Sequence, residues 1–352
     1  MERADLNQLT AQLYGETLAG LDRAFGRGTA ILLARVGDGE RQLIAQLKRP
    51  VVTIDATLYP DRTSLRFELL RAAVENLLAP SPQPVLSEVG PSGDLARLAL
   101  AEAYGERTEH VMALLERSTP PPHGQLLLSI HEVLAGLQDD VVLVVFDAHR
   151  LDTDARWDLR ELQRPLLLVT RPDHHSTLTG ADAPFYGDAQ TLTLPTPTPA
   201  EWMRALVTIG LRIHPTDLEW LLDRSRGRVA TTINALELAA PKRSPRNAWH
   251  QAVRRSLPRA HDILALAREI HPYEPTLLLA IAEARQPYKA LPEARPARVA
   301  LALRKMRSLD ILEQPAPRAW QIADPLIEHA LRSMINSSRA SRTLAETGPL
   351  AR

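Results

Sequence analysis

Five short apolar segments, separated by stretches with helical periodicity, constrain the fold of the first 195 residues. The most apolar of them, at 141–146, reads Val-Val-Leu-Val-Val-Phe. Such runs lack polar alternation, which is typical of parallel strands that helices cover on both faces. The chain is therefore predicted to form a three-layer α/β domain around a parallel sheet. The predicted strands are 29–34, 50–55, 141–146, 165–169 and 190–194.

The pattern becomes helical after residue 195. The predicted elements there are helices at 199–211, 215–224 and 229–239, a polar linker at 241–246 and, after further helices, two short strands at 311–313 and 320–322. Four segments follow: an α/β core at 1–195, a helical lid at 196–246, a domain of helices with a two-stranded wing at 247–335, and a disordered tail at 336–352. Within the core, we expect one helix over 6–25, a loop at 79–93 and a helix over 125–137.

The balanced net charge hides opposite charges in two parts of the chain. Residues 241–352 contain 19 Lys and Arg residues and 10 Asp and Glu residues, a net charge of +9. Because the whole chain has 42 of each, residues 1–240 carry a net charge of −9. A basic segment joined to an acidic one indicates either contact with an anionic partner such as nucleic acid, or attraction between the two parts.

Cysteine is absent, which excludes disulfides, thiolate metal sites and a cysteine nucleophile. No apolar run reaches the roughly 18 residues of a membrane span, and the charged start of the chain shows no secretory signal. A cytoplasmic protein without membrane contact is expected. The adjacent His174 and His175 suggest a metal, but neighbouring loop residues seldom converge on one ion and no i,i+4 partner is present. No metal site is predicted.

The stretch Ala34-Arg35-Val36-Gly37-Asp38-Gly39-Glu40-Arg41 follows the first predicted strand. It is similar to the phosphate-binding loop Gly-x-x-x-x-Gly-Lys-Ser/Thr, in which backbone N–H groups cradle phosphates, the Lys contacts them and the hydroxyl binds Mg²⁺. Gly39 is in register, whereas Glu40 replaces the Lys and Arg41 replaces the Ser/Thr. Together with the order of elements, this stretch resembles a degenerate form of the origin-recognition-like, signal-transducing branch of the AAA+ ATPases. That branch has a helical lid and a C-terminal winged helix.

A carboxylate at position 40 should repel nucleotide. Two unit charges about 4 Å apart interact by roughly 4 kcal/mol at an effective dielectric constant of about 20. Exchanging an ammonium for Glu40 turns this attraction into repulsion, and Arg35 or Arg41 are the nearby residues that could compensate. The resemblance therefore implies a vestigial nucleotide site without a bound cofactor, with binding of ATP and Mg²⁺ as the alternative.

The strand at 141–146 runs into Asp147 and Ala148, and this segment resembles the Walker B motif of the family. There, the carboxylate at the position of Asp147 is associated with Mg²⁺, and a Glu at the position of Ala148 activates water. Without that base, a bound nucleotide has no residue at this position to polarise its attacking water. The alternative is that Asp147 only caps the turn after a buried strand.

Two further positions match the family's phosphate sensors. Thr170, at the end of a predicted strand, matches the polar first sensor. The second sensor, an Arg in the family, falls near Ala230, which cannot supply a charge. Arg226 and Arg228 could reach in from displaced positions, or could lie on a solvated helix face.

The segment 257–334 resembles the family's winged helix. Val299, Leu303 and Met306 recur at helical spacing on its third helix and should face the core. In winged-helix DNA binders this helix enters the major groove, where Arg and Lys contact phosphates and guanine edges. The residues predicted to bind DNA are Arg295, Arg298, Arg304, Lys305 and Arg307. The alternative is a basic face on a domain that packs against protein.

The leading hypothesis is an inactive ATPase-like scaffold that binds duplex DNA, partner proteins or both through its winged helix, and that has no catalytic residue. Its vestigial nucleotide site would consist of Gly37, Gly39, Arg41, Asp147 and Thr170. A second hypothesis is a protein–protein adaptor or self-assembling subunit without DNA binding. A third is a divergent, active ATPase that uses Arg35 or Arg41 and another water-activating residue.

Overall fold

The computed structural model describes residues 3–26, 28–78, 94–122, 125–238, 244–270 and 274–346. The chain divides into two compact units. One, called the sheet unit below, comprises residues 14–35 and 43–195. The other, called the helical unit, comprises residues 1–13, 36–42 and 196–352. The short segment 36–42, which the sequence predicted within the α/β core, is thus counted with the C-terminal part of the chain.

A five-stranded parallel sheet forms the centre of the sheet unit. Its strands are β1 (Thr29–Leu33), β2 (Val51–Asp55), β3 (Val142–Phe146), β4 (Leu166–Thr170) and β5 (Gln190–Thr193). They lie in the order β2-β3-β4-β1-β5, and every neighbouring pair is parallel. Each strand lies where an apolar segment predicted it, so the predicted α/β class is confirmed.

Helices flank this sheet. Two helices of the N-terminal part lie wholly or partly outside the sheet unit. Helix α1 (Arg3–Leu13) belongs to the helical unit, and α3 (Glu40–Ile44) begins in that unit and ends in the sheet unit. The helices of the sheet unit are α2 (Gly15–Phe25), α4 (Arg62–Leu78), α5 (Asp94–Tyr104), α6 (Thr108–Leu115), α7 (Ile130–Val133), α8 (Thr153–Arg160) and α9 (Ser176–Thr179).

The central strands are buried on both faces. Leu143 and Leu168 belong to a core that also contains apolar residues of α4 to α8. Val144 and Leu167, which point to the opposite face, are equally shielded from solvent. Helix α2 packs against β1 and β5. Burial on two faces explains why these strands read as continuous apolar runs rather than as alternating patterns.

The helical unit contains the remaining helices and a two-stranded antiparallel hairpin. Its helices are α10 (Pro199–Thr208), α11 (Pro215–Ser225), α12 (Val229–Glu237), α13 (Pro245–Arg255), α14 (Leu257–Ile270), α15 (Glu274–Ala282), α16 (Pro287–Ala290), α17 (Pro296–Ser308) and α18 (Pro325–Glu346). The hairpin consists of β6 (Leu312–Ala316) and β7 (Ala319–Ile322), which pair Glu313 with Gln321.

The turn between α11 and α12 places two arginines on either side of a glycine. Arg226 and Gly227 adopt left-handed backbone conformations with φ of 54° and 68°, which end α11. A Cβ at Gly227 would lie 2.6 Å from Cγ2 of Thr196, so this position requires glycine. Arg228 then returns to an extended conformation and precedes the first turn of α12.

Two predicted helices are wrong in extent. The segment predicted as one helix over 6–25 is divided by Tyr14, which has φ −120° and ψ 20° and buries its ring. The helix predicted over 125–137 is reduced to α7, because Ser129 and Glu132 form a capping box that starts the helix only at Ile130. In both places a tertiary or capping contact prevails over apolar periodicity.

The predicted disordered tail at 336–352 is wrong for residues 336–346, because α18 continues to Glu346. That stretch contains neither Pro nor Gly, so nothing in it interrupts a helix that is already nucleated. Residues 347–352 lie outside the described residues, as does the loop predicted at 79–93.

A buried carboxylate ties α8 to α4 in the sheet unit. Asp158 is fully buried and accepts hydrogen bonds from Arg62 Nε at 3.0 Å and Arg66 Nη2 at 2.9 Å. Burial alone would raise the pKa of Asp158, but the hydrogen bonds from the two arginines outweigh it and hold the pKa below its usual value. The carboxylate is therefore charged in the folded protein at neutral pH.

We predict that Asp158→Asn lowers the free energy of unfolding by about 3 kcal/mol at pH 7, because it removes one partner of a buried ion pair. Because the folded-state pKa is depressed, this contribution is present above the unfolded pKa of about 4 and is lost as the pH falls below it. Urea unfolding followed by circular dichroism at pH 7 and pH 3 measures both effects. Asp154→Asn on the exposed side of α8 is the control, with an expected change within about 0.5 kcal/mol. Equal effects of the two substitutions would contradict the prediction.

Candidate functional site

Ligands of open parallel α/β sheets bind beyond the carboxyl ends of the strands. In this sheet, Leu33 of β1 is paired with Thr170 of β4, and Val145 of β3 with Leu168. Extending this register by two residues puts Asp147 level with Thr170. The predicted site residues Asp147 and Thr170 thus belong to one edge of the sheet unit, whereas Gly37, Gly39 and Arg41 belong to the helical unit.

The loop that would cradle phosphate contains two glycines with left-handed backbones. Gly37 has φ 83° and Gly39 has φ 92°. A Cβ at Gly37 would lie 2.6 Å from the Thr231 hydroxyl oxygen, so the loop packs directly against α12. The backbone N–H of Ala230, in the first turn of α12, donates to the Gly37 carbonyl at 2.9 Å. The helix N-terminus that could otherwise face an anion here binds the loop itself.

Asp38, between these glycines, is bound by an arginine of the helical unit. Arg228 Nη1 donates to Asp38 Oδ1 at 3.1 Å, and the two residues are 1% and 3% exposed. Arg228 is one of the two arginines that the sequence suggested could reach in from a displaced position. It does contact the loop, but its partner is a carboxylate of the same chain.

The same guanidinium also binds the hairpin. Arg228 Nη2 donates to both carboxylate oxygens of Glu313, each at 2.7 Å, and Gln321 Nε2 donates to Glu313 Oε1 at 2.6 Å. One buried cation is thereby held between two carboxylates that lie far apart in sequence. We call Asp38, Arg228 and Glu313 the carboxylate clamp.

Arg226, the other arginine considered as a displaced sensor, binds different partners. Its Nη1 donates to the Ile322 carbonyl at 2.7 Å, and its Nη2 forms an ion pair with Glu328 of α18. Its nearest approach to the clamp is 3.6 Å, to Glu313 Oε1. Arg226 therefore supports the hairpin and α18 rather than the loop.

The two positions that replace the Lys and Ser/Thr lie in the first turn of α3. Glu40 is half-buried and Arg41 is exposed. Glu40 is the first residue of this helix and stands at the position that the resemblance aligns with the Lys. Arg35, the other residue considered for compensation, belongs to the sheet unit and is half-buried.

At the end of β3, Asp147 pairs with an arginine from the end of β4. Arg171 Nη2 lies 3.1 Å from Asp147 Oδ1, and Arg171 Nη1 donates to the Ala34 carbonyl at 3.1 Å. Asp147 has φ 51°, a left-handed conformation that Asp tolerates better than most residues. Its carboxylate makes no cap hydrogen bond to the following turn within the described part of the chain, so the capping alternative is not what the structure shows.

Thr170 is fully buried, and its hydroxyl lies 3.1 Å from His149 Nδ1. The His149 ring stacks on His174, with ring centroids 4.3 Å apart and planes 2° from parallel. His175, by contrast, lies with its Nε2 3.1 Å from the Thr191 hydroxyl. The hydroxyl predicted as a phosphate sensor therefore already has a protein partner.

Sequence reasoning missed Asp38, Arg171, His149 and Glu313. Two local signals existed: Asp38 stands between Gly37 and Gly39, and Arg171 directly follows a strand end. Neither signal identifies a partner, because the Asp38–Arg228 contact spans 190 positions of sequence. Such a contact becomes visible only once the fold is known.

The residues predicted to bind DNA lie on or beside α17. Val299, Ala302, Leu303 and Met306 form its buried face. Arg295, which precedes the helix, and Arg298, Arg304 and Lys305 are exposed, whereas Arg307 is half-buried. Successive residues of an α-helix are rotated by about 100° around its axis. Arg304 therefore points away from the buried face, and Arg298 and Lys305 lie on the same flank of the helix. Leu301, 62% exposed, lies among them.

Among the described residues, no helix combines the length and the apolar character that a bilayer span requires.

Comparison with known proteins gives a fold but no close relative. No family model and no curated protein matches the sequence. The Walker-type ATPase PABY2304 of Pyrococcus abyssi aligns with 91% of this chain and 95% of its own, at 16% identity and a TM-score of 0.57. Cdc6p of Pyrobaculum aerophilum aligns with 92% of this chain and 94% of its own at 17% identity, and the ORC2 protein of Aeropyrum pernix aligns with 96% and 94% at 14% identity. The TM-score is 0.41 for each of these two proteins. The parallel sheet, its strand order and the first of these similarities together show that the chain has the fold of a Walker-type P-loop ATPase.

Proposed function

We propose that this protein is an ATPase-like scaffold that neither binds nor hydrolyses ATP, and that it binds duplex DNA through a winged helix formed by α14 to α18 and the hairpin. The observation that carries the first part is the carboxylate clamp: Arg228, buried beside the degenerate phosphate loop, is neutralised by Asp38 and Glu313. A cation that is already paired with two carboxylates has little attraction left for a phosphate.

The Asp147–Arg171 pair supports the same conclusion for the metal. Mg²⁺ prefers oxygen ligands and needs a carboxylate that is available to it. Arg171 supplies a positive charge 3.1 Å from Asp147, so an arriving Mg²⁺ would face a like charge. Ala148, next in sequence, has no group that could act as a general base. Loss of binding and loss of catalysis therefore have separate physical causes.

The case for DNA rests on charge and exposure. Residues 241–352 carry a net charge of +9, and Arg298, Arg304 and Lys305 are exposed on one helix of that segment. Basic side chains on an exposed helix bind phosphates and release condensed counterions, which favours binding to DNA at low salt. This helix follows α14, α15 and α16 and precedes an antiparallel hairpin, an order compatible with a winged helix.

A protein-binding adaptor is the second candidate. Leu301 is 62% exposed among the basic residues of α17, and Trp157 and Tyr186 of the sheet unit are 40% and 62% exposed. Exposed aromatic and aliphatic side chains beside arginines are typical of protein–protein contact sites. These residues favour a partner protein if DNA is not bound.

We predict that the clamp, and not only the missing Lys and Thr, prevents nucleotide binding. Calorimetric titration with Mg²⁺-ATP should detect no binding to the wild-type protein at tens of micromolar. The double variant Glu40→Lys with Arg41→Thr carries the Lys and Thr of the family's phosphate loop. It should still bind ATP only weakly, because Arg228 and α12 remain attached to the loop. Adding Asp38→Ser to that variant should strengthen binding by about tenfold or more, since a charge-assisted contact that competes with phosphate is removed.

Two results would contradict this prediction. Saturable 1:1 binding to the wild type, abolished by Asp147→Ala, would favour the divergent active ATPase. Equal affinity of the two loop variants would mean that Asp38 does not compete with phosphate. Asp154→Asn, an acidic residue exposed on α8, is the matched control for loss of one negative charge.

We predict that duplex DNA binds mainly through α17. Arg298→Glu, Arg304→Glu and Lys305→Glu together should abolish binding at 50 mM salt while leaving the fold intact, because all three side chains are exposed. Wild-type affinity should fall by at least about a hundredfold between roughly 50 and 200 mM salt. Fluorescence anisotropy with a labelled duplex measures both quantities.

The matched control for charge is Arg254→Glu with Arg255→Glu, which reverses two exposed arginines of α13. This variant should lose far less affinity than the α17 variant. Equal losses would indicate diffuse attraction to the whole basic segment. If the wild-type protein ignores DNA even at low salt, the adaptor becomes the leading function.

A further inference from the structure

The helical unit contains a polar cavity of about 150 Å³ between the end of α11 and the first turns of α18. Arginines dominate its lining, which includes Arg224, Arg226 and Arg332 together with Asp223, Glu328 and His329. Since one water molecule occupies about 30 Å³ in the liquid, the cavity has room for a tetrahedral oxyanion and accompanying water. It involves none of the residues of the carboxylate clamp.

Two of the arginines are fixed by one glutamate. Glu328, which is buried, pairs with both Arg226 and Arg332. Arg226 also donates to the Ile322 carbonyl, and Arg332 to the Ala282 carbonyl. These described contacts use two of the five N–H donors of each guanidinium, so each has donors left. Both guanidinium groups are preorganised at the cavity wall.

The third arginine lies at the rim. Arg224 is exposed, and its guanidinium lies 5.4 Å from the centroid of the Trp220 ring. This contact orients the side chain without neutralising its charge. The three arginines face only two carboxylates in the lining, Asp223 and Glu328, so the lining has a net charge of +1 when His329 is neutral.

His329 is a neutral member of the cavity lining. Its ring meets Trp249 edge-on, with centroids 5.3 Å apart. The pKa of His329 is lowered to about 4, mainly by burial and in addition by the charges of Arg332, Arg224, Arg226 and His250. The imidazole is therefore neutral at pH 7, and the neighbouring arginines contribute to keeping it so.

We infer that this cavity binds a phosphate group, held by the guanidinium groups of Arg224 and Arg332 beside Arg226. Guanidinium forks match oxyanions in geometry and form charge-assisted hydrogen bonds to them. The group could be free inorganic phosphate or a phosphodiester of nucleic acid, because both present the same oxygens. This site is independent of the proposed contact between α17 and DNA, since it uses different residues.

The test follows the His329 ring by NMR in the full-length protein at pH 7 while inorganic phosphate replaces chloride at constant ionic strength. We expect a saturable shift of the His329 resonances. We also expect a rise in the pKa of His329, because a bound anion favours the imidazolium. Arg224→Gln and Arg332→Gln should each weaken the binding by about tenfold or more. Arg254→Gln, an exposed arginine of α13 outside the cavity, is the control and should change nothing.

A second arm titrates a short DNA duplex in place of phosphate. A saturable His329 shift with inorganic phosphate identifies the free ion as a ligand. A shift with DNA alone, weakened by Arg224→Gln, identifies a phosphodiester. Arg224 is exposed, so its substitution should not unfold the protein. No saturable shift with either ligand would overturn the inference, and so would a shift that neither cavity substitution weakens.

Discussion

One buried guanidinium, that of Arg228, organises the helical unit. A charge that is 1% exposed can persist only if it is paired, and here Asp38 and Glu313 provide the partners. These partners come from the degenerate phosphate loop and from the hairpin. The clamp thereby joins residues 36–42 to parts of the same unit that lie beyond position 195. Removing Asp38 or Glu313 would take one of two carboxylate partners from this buried cation.

In the sheet unit, too, a carboxylate is paired with an arginine of the same chain. Asp147 follows a fully apolar strand, and its carboxylate is paired with Arg171 from the neighbouring strand end. In each unit, a carboxylate and an arginine of the chain form a contact at a position where Walker-type enzymes use phosphate or metal. Under the function proposed above, each pair takes the place of a ligand, because it neutralises within the chain a charge that phosphate or metal would otherwise meet.

The strands were predictable because a strand that is buried on both faces consists of consecutive apolar residues. Each of the five apolar runs corresponds to one of the five strands. The positions of Asp147 and Thr170 followed from those runs. Asp38–Arg228 could not be predicted, since the contact joins residues 190 positions apart and neither residue type specifies its partner. The break between α1 and α2 at Tyr14 depended on the burial of one ring. The continuation of α18 past residue 336 depended on the absence of a helix breaker in a polar stretch. Local pattern thus determined the sheet, whereas side-chain pairing over long sequence distances determined the site.

The central claim is that Asp38 and Arg228 are energetically coupled in the folded protein. A double-mutant cycle with Asp38→Asn, Arg228→Gln and the double variant, measured by urea unfolding at pH 7, tests it most directly. We predict that each single substitution is destabilising and that the double variant is more stable than additivity requires, with a coupling energy of about 2 kcal/mol. Additive effects within about 0.5 kcal/mol would show that the two charges do not depend on each other. The carboxylate of Asp38 could then no longer be regarded as the internal replacement for a phosphate.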